Sequence, residues 1–135
     1  MRALSEATRA VLPAPFKKFR HQAQGWLCQL YYRRADVHYE VSNLGERRGV
    51  IEIGLHFESK NAAENAQWLR VVDRRRVEIK ATLGAQWEAE PWDRGWTNVY
   101  KTLPYQPFDK ALLKMVAQRL SGAIRLLEPD VAGAL

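Results

Sequence analysis

Residues 50–58, Val-Ile-Glu-Ile-Gly-Leu-His-Phe-Glu, alternate without interruption between apolar side chains and polar or small ones. Ile51, Ile53, Leu55 and Phe57 fall on one side, and Glu52, Gly54, His56 and Glu58 on the other. Successive side chains of an extended chain point to opposite faces, so this period of two predicts a strand with one apolar and one polar face. Residues 36–42 repeat the pattern, with Val37, Tyr39 and Val41 set against His38, Glu40 and Ser42. The link Asn43-Leu44-Gly45-Glu46-Arg47-Arg48-Gly49 is short and polar, and its glycines suit positive φ. Two strands joined in this way read as an antiparallel hairpin. Two registers keep the same faces: one sets Glu40 across from Glu52 and Asp36 across from His56, the other sets His38 across from His56.

Elsewhere the spacing changes to three and four. Phe16, Phe19, Ala23, Trp26, Leu27, Leu30 and Tyr31 follow Pro13 and Pro15 and predict a helix of about five turns. Residues 1–13 read as a flexible lead-in. After Lys60, Asn61 can cap a helix, with Glu64 three positions on in a weak capping box. Trp68, Leu69, Val72, Ile79 and Leu83 continue it, as one helix or as two joined near Asp73-Arg74-Arg75-Arg76, and Gly84 ends it. Residues 86–92 and 96–103 read as strands separated by a turn at Pro91, Asp93 and Gly95. A last helix carries Phe108, Leu112, Met115, Val116, Leu120, Ile124 and Leu127 on one side; Pro129 ends it, leaving 129–135 as a frayed tail. The expected fold is α+β in the order αββαββα: a four-stranded, mostly antiparallel sheet covered on one face by three helices, forming one domain over residues 14–128.

Composition narrows the function classes. The single cysteine, Cys28, excludes an internal disulfide and a cysteine-based metal knot, and its position beside an apolar stripe reads as packing. No apolar run is long enough for a membrane span, and the first residues lack an apolar secretory core, so the expectation is a cytoplasmic protein with no membrane partner. A formal charge of +6 permits a nucleic-acid partner but spreads its basic residues among acids.

The strand Ile51-Glu52-Ile53, the helix after it, and the run 77–88 with Leu83-Gly84 and Trp87 resemble an uncharacterised prokaryotic domain. The resemblance spans roughly residues 19–103. It implies a domain found at the C-terminal end of larger proteins that carry nuclease-like or defence-related modules, and it brings no catalytic residues with it.

The chemistry with most to offer is the polar face of the hairpin, which gathers His38, Glu40, Glu52, His56 and Glu58. Neighbouring carboxylates repel unless a cation, an arginine or a proton lies between them. Two histidines with carboxylates suit a divalent metal, whereas Arg33, Arg34, Arg47 and Arg48 offer ordinary ion pairs. Weighed together, these residues predict a surface for another protein or a second copy of the chain, built from His38, Glu40, Glu52, His56, Trp96 and Tyr100, with no metal and no cofactor. The alternative is a nucleic-acid-binding or metal-dependent nuclease-like protein. In it, Glu58-Ser59-Lys60 resembles the nuclease signature, and Glu40 or Glu52 completes the carboxylate set. Lys17, Lys18, Arg20, Arg74, Arg75 and Arg76 would then form the phosphate-binding patch, with Trp92, Trp96 and Tyr100 as stacking surface.

Overall fold

A computed structural model describes residues 1–135, and at its centre lies the hairpin of the two alternating segments. In chain order the elements are α1 (Leu4–Val11), a 3₁₀ turn (Ala14–Phe16), β1 (Arg20–Ala23), β2 (Leu27–Tyr31), β3 (Val37–Asn43), the single turn α2 (Gly45–Arg48), β4 (Val50–Phe57), α3 (Ala62–Asp73), α4 (Arg76–Leu83), β5 (Glu88–Pro91), a second 3₁₀ turn (Asp93–Gly95), β6 (Thr97–Pro104) and α5 (Lys110–Ala134). The strands form one sheet in the order β1-β2-β3-β4-β6-β5, with every pair antiparallel.

The expected four-stranded, three-helix αββαββα arrangement is therefore wrong: the sheet has six strands and the chain five helices. The main error falls on residues 16–31. Their apolar positions do recur at three and four, but they do not share an environment. Cys28 and Leu30 are buried, while Trp26 is half exposed. Within β2 the burial alternates, and Leu30 and Cys28 lie across from Tyr39 and Val41. The open edge of β3 offers backbone partners that no local spacing reveals, and pairing with it overrides a helix-like sequence.

Both ends also depart from expectation. The lead-in holds α1, whose Leu4 is fully buried, and Leu12 just beyond it is a core residue. At the other end α5 runs through Pro129 to Ala134, and Val131 is buried. A proline inside a helix removes one N–H and pushes back the carbonyls of the preceding turn. Here the Leu126 carbonyl accepts from Arg75 Nη1 at 3.1 Å, and the same nitrogen meets Asp130 at 2.7 Å, so a side chain from outside the helix holds the turn that carries the proline. The stripe after Lys60 is two helices, parting at the arginines. Asn61 caps α3 as expected, its side chain accepting from the Ala63 N–H, but Glu64 turns to Arg34 instead of closing the box.

The helices cover one face only. Tyr39, Val41, Ile51, Ile53, Leu55, Phe57 and Val99 share a single core with Val116, Leu120, Ile124 and Leu127 of α5 and with Trp68 and Val72 of α3. Tyr39 also ties sheet to helix through a 2.8 Å hydrogen bond to Glu128, whose other oxygen takes Arg33 at 3.1 Å. The opposite face carries the polar half of every alternating strand.

Candidate metal centre

Strands β3 and β4 each bring a His-x-Glu triplet, His38-Tyr39-Glu40 and His56-Phe57-Glu58, to this second face. Of the two registers, the strands adopt the one that pairs His38 with His56, which sets Glu40 across from Gly54 and Ser42 across from Glu52. The two imidazoles stack with centroids 5.6 Å apart and planes inclined by 17°. Because the strands run in opposite directions, the two triplets face each other across the pair, and each histidine reaches both of their glutamates. Each histidine meets its own glutamate at 3.0–3.3 Å and the other triplet's glutamate at 3.7 Å.

This face is not open to solvent over the histidines. His38 and His56 are 2% and 0% exposed and Glu40 is 9% exposed. The cover comes from the β5–β6 connection. Trp92 places its ring edge-on to His56 at 5.6 Å and packs on Trp96. The connection is held by Trp92 N–H donating to the Trp96 carbonyl and by Asn65, whose amide donates to the Gly95 carbonyl and to that of Ser59. Arg94 adopts left-handed backbone (φ 59°) in this turn. Gly95, at φ 73°, leaves no room for a side chain, since a Cβ would lie 2.6 Å from that of Ala62.

Each imidazole has one nitrogen already fixed. His38 Nδ1 lies 2.7 Å from the Ala35 carbonyl, which can only accept, so Nδ1 carries a proton, while Nε2 turns toward Glu40 and Glu58. His56 Nε2 lies 2.6 Å from Glu52 and Nδ1 lies 3.0 Å from Glu58. Burial works against its charge, but the bonds to Glu52 and Glu58 and the field of Glu40 prevail and lift its pKa to about 10. Without a metal, His56 is therefore an imidazolium binding the carboxylates together. Burial also pushes the Glu40 carboxyl up, yet hydrogen bonding to His38, the charge of His56 and donors from Gln29 and Ser42 bring it down to about 2.

Neither arginine nor lysine pairs with Glu40, Glu52 or Glu58. Of the four arginines expected to neutralise this face, Arg33 goes to Glu128 and Arg34 to Asp36 and Glu64, while Arg47 and Arg48 form no ion pair. Three carboxylates thus face two imidazoles and no arginine or lysine. One donor atom each from His38, Glu40, His56 and Glu58 lies within 4.8 Å of the others. Zinc–nitrogen distances of about 2.0–2.1 Å imply a tetrahedral edge of about 3.3 Å, so the contacts of 3.0–3.7 Å are already near coordination spacing. The remote nitrogens also have the outer acceptors that metal-binding histidines use, a carbonyl for His38 and a carboxylate for His56. Beside them, Asn98, the cross-strand neighbour of His56, carries the buried amide oxygen that has no hydrogen-bond partner.

Above the centre opens a cleft of about 680 Å³, with Glu40, Glu52 and Glu58 on its floor and Trp26, Trp92 and Trp96 in its walls. The other expected residues fare unevenly. Lys60 is exposed beyond the end of β4 and forms no bond to the centre. Tyr100 lies on the same face but gives its hydroxyl to Glu90 at 2.6 Å. Arg75 and Arg76 are spent on Glu78, Asp130 and Asp73 in the helix layer, behind the sheet, so the expected basic patch does not form around this site. Lys17, Lys18, Arg20 and Arg74 are exposed and outside the cleft. Gln29, hidden in the supposed helix, and Asn98 are absent from the expected site; the His-x-Glu triplet that occurs in both β3 and β4 is the signal in the sequence that could have found a paired site.

Compared with known proteins, the chain matches no protein family, no curated protein and no solved structure.

Proposed function

We propose that this chain is a divalent-metal-dependent hydrolase of the nuclease-like kind, with His38, Glu40, His56 and Glu58 as metal ligands. The observation that carries this reading is the convergence of two His-x-Glu triplets into a buried cluster that no arginine or lysine reaches. An N₂O₂ donor set favours zinc, manganese or iron over magnesium, which prefers oxygen alone. It also weakens the partner-surface reading, because His38, Glu40 and His56 are too buried to contribute contact area.

The roles follow from position. With a metal bound, His56 keeps the proton on Nε2, held by Glu52, and gives up the one on Nδ1. Held by four protein ligands, a divalent ion would need a further coordination position facing the cleft, and with water there it would supply Lewis acidity and a nucleophile at neutral pH. Glu52 lines the cleft and is the carboxylate left outside the donor set, so it takes the proton as water oxygen attacks phosphorus. The new P–O bond forms as the ester P–O bond breaks, and the departing alkoxide takes the proton. Lys60 has no part in this scheme.

The test is calorimetry of the chelator-stripped protein with Zn²⁺ and Mn²⁺, followed by hydrolysis of an activated diaryl phosphodiester. One ion should bind, His38→Ala should weaken it at least tenfold, and Glu58→Gln should abolish metal-dependent turnover. A protein that binds no ion, or whose turnover survives Glu58→Gln, contradicts the reading.

A further inference from the structure

We infer that the cleft above the centre takes a single-stranded nucleic acid, with an unpaired base stacked on Trp26 and its phosphate held by Arg48 and the metal. This inference rests on the metal-dependent reading and adds the substrate class.

The two tryptophans exposed to about half, Trp26 at 51% and Trp92 at 49%, both line this cleft. Neither hangs free. The Trp26 carbonyl accepts from Asn43 N–H at 2.8 Å, which pins the β1–β2 turn to the end of β3, and Trp92 is fixed through Trp96. Half-exposed indoles on pinned backbone are ready-made stacking platforms, and every nucleobase has a face to offer them.

Charge decides between ligand classes. An acidic cleft with indole walls suggests an organic cation, but the carboxylates are engaged: Glu40 by Gln29 and Ser42, Glu52 and Glu58 by His56. The free charge is Arg48, which lines the cleft without an acidic partner. A divalent ion and Arg48 together offset the three floor carboxylates, so the loaded cleft no longer repels a phosphate. Arginine matches phosphate geometry with paired donors. In a duplex the base faces are covered by stacking, so an indole wall selects an unpaired strand. A volume of about 680 Å³ suits a nucleotide or two.

The experiment is fluorescence anisotropy of labelled oligothymidylate of about 12 nucleotides against the duplex of the same length, with Zn²⁺-loaded and metal-free protein, strand integrity being checked on a gel. The single strand should bind at least about tenfold tighter than the duplex and only to loaded protein. Trp26→Ala and Arg48→Ala should each cost about tenfold, with Trp26→Phe recovering part, while calorimetry shows Zn²⁺ uptake by Trp26→Ala as in the parent. Normal uptake of Zn²⁺ with equal binding of strand and duplex, or with Trp26→Ala and Arg48→Ala both indistinguishable from the parent, overturns the substrate class and leaves the hydrolase standing. Absence of Zn²⁺ uptake overturns both.

Discussion

His56 is the side chain on which the empty and the loaded centre differ. In the metal-free protein it is fully buried and its pKa is lifted from 6.5 to about 10 by Glu52, Glu58 and Glu40 against the pull of burial. A group whose pKa is higher in the folded state stabilises the fold below its unfolded value and loses that contribution as pH rises through the folded one. The melting temperature of metal-free protein should therefore fall between about pH 6.5 and about pH 10, and the His56 ring protons should show no NMR titration near neutrality. A ring titrating near pH 6.5 would mean that the carboxylates do not hold it as an imidazolium. Glu40 works in the opposite direction. Its pKa is depressed to about 2, so its contribution is full above about 4.5 and disappears as the pH falls toward 2. Glu52 lies behind His56 as its outer partner. Glu52→Gln should cost about 10–100-fold in metal affinity, the usual range for such partners, measured by competition with a chromophoric chelator. An unchanged affinity would remove Glu52 from that role.

Strands β3 and β4 do most of the positioning, and β6 constrains them through Gly54. This residue lies on the polar face between Glu52 and His56, and a Cβ there would come within 2.7 Å of the Tyr100 Cβ and 2.9 Å of the Val99 carbonyl. Both obstacles are close to or part of the backbone, so they cannot swing away. Gly54→Ala should cost about 1–3 kcal/mol in denaturant unfolding, the range for overpacking, and a variant as stable as the parent would contradict the close approach of β6. The same hairpin shows what the sequence could reveal. Its period of two gave the strands, their faces and the set His38, Glu40, Glu52, His56 and Glu58, because a half-buried strand writes its environment into every second residue. The register was not legible, because two choices left every side chain on the same face. It is fixed by the connection, where Gly45 and Gly49 take positive φ around the single turn α2 and Leu44 N–H donates to the Val50 carbonyl. Burial of the histidines was illegible too. Their cover, Trp92 and Trp96, arrives from a distant hairpin, and Gln29 arrives from a strand whose spacing resembled a helix. Pro129 misled for the converse reason: a tertiary donor, Arg75, steadies the turn that the proline disturbs.

Across the fold the two faces of the sheet divide the labour. The helices lie on one side, where Tyr39, Arg33 and Glu128 tie strand to helix, and α3 through Asn65 reaches round to steady the turn over the centre. No helix here is long and apolar enough to cross a membrane. The chain carries a net +6, yet the face away from the helices collects Glu40, Glu52 and Glu58 with no arginine or lysine paired to them, a local excess of negative charge that a divalent ion would relieve. An ion that binds only the folded chain stabilises it by about 2.7 kcal/mol at a hundredfold excess over its dissociation constant. The most direct measurement is the X-ray absorption spectrum of the Zn²⁺-loaded protein. The expected result is a nitrogen and oxygen shell at about 2.0–2.1 Å containing two imidazoles, one of which is lost in His38→Ala. A shell of oxygen atoms alone, with no imidazole scattering, would contradict it.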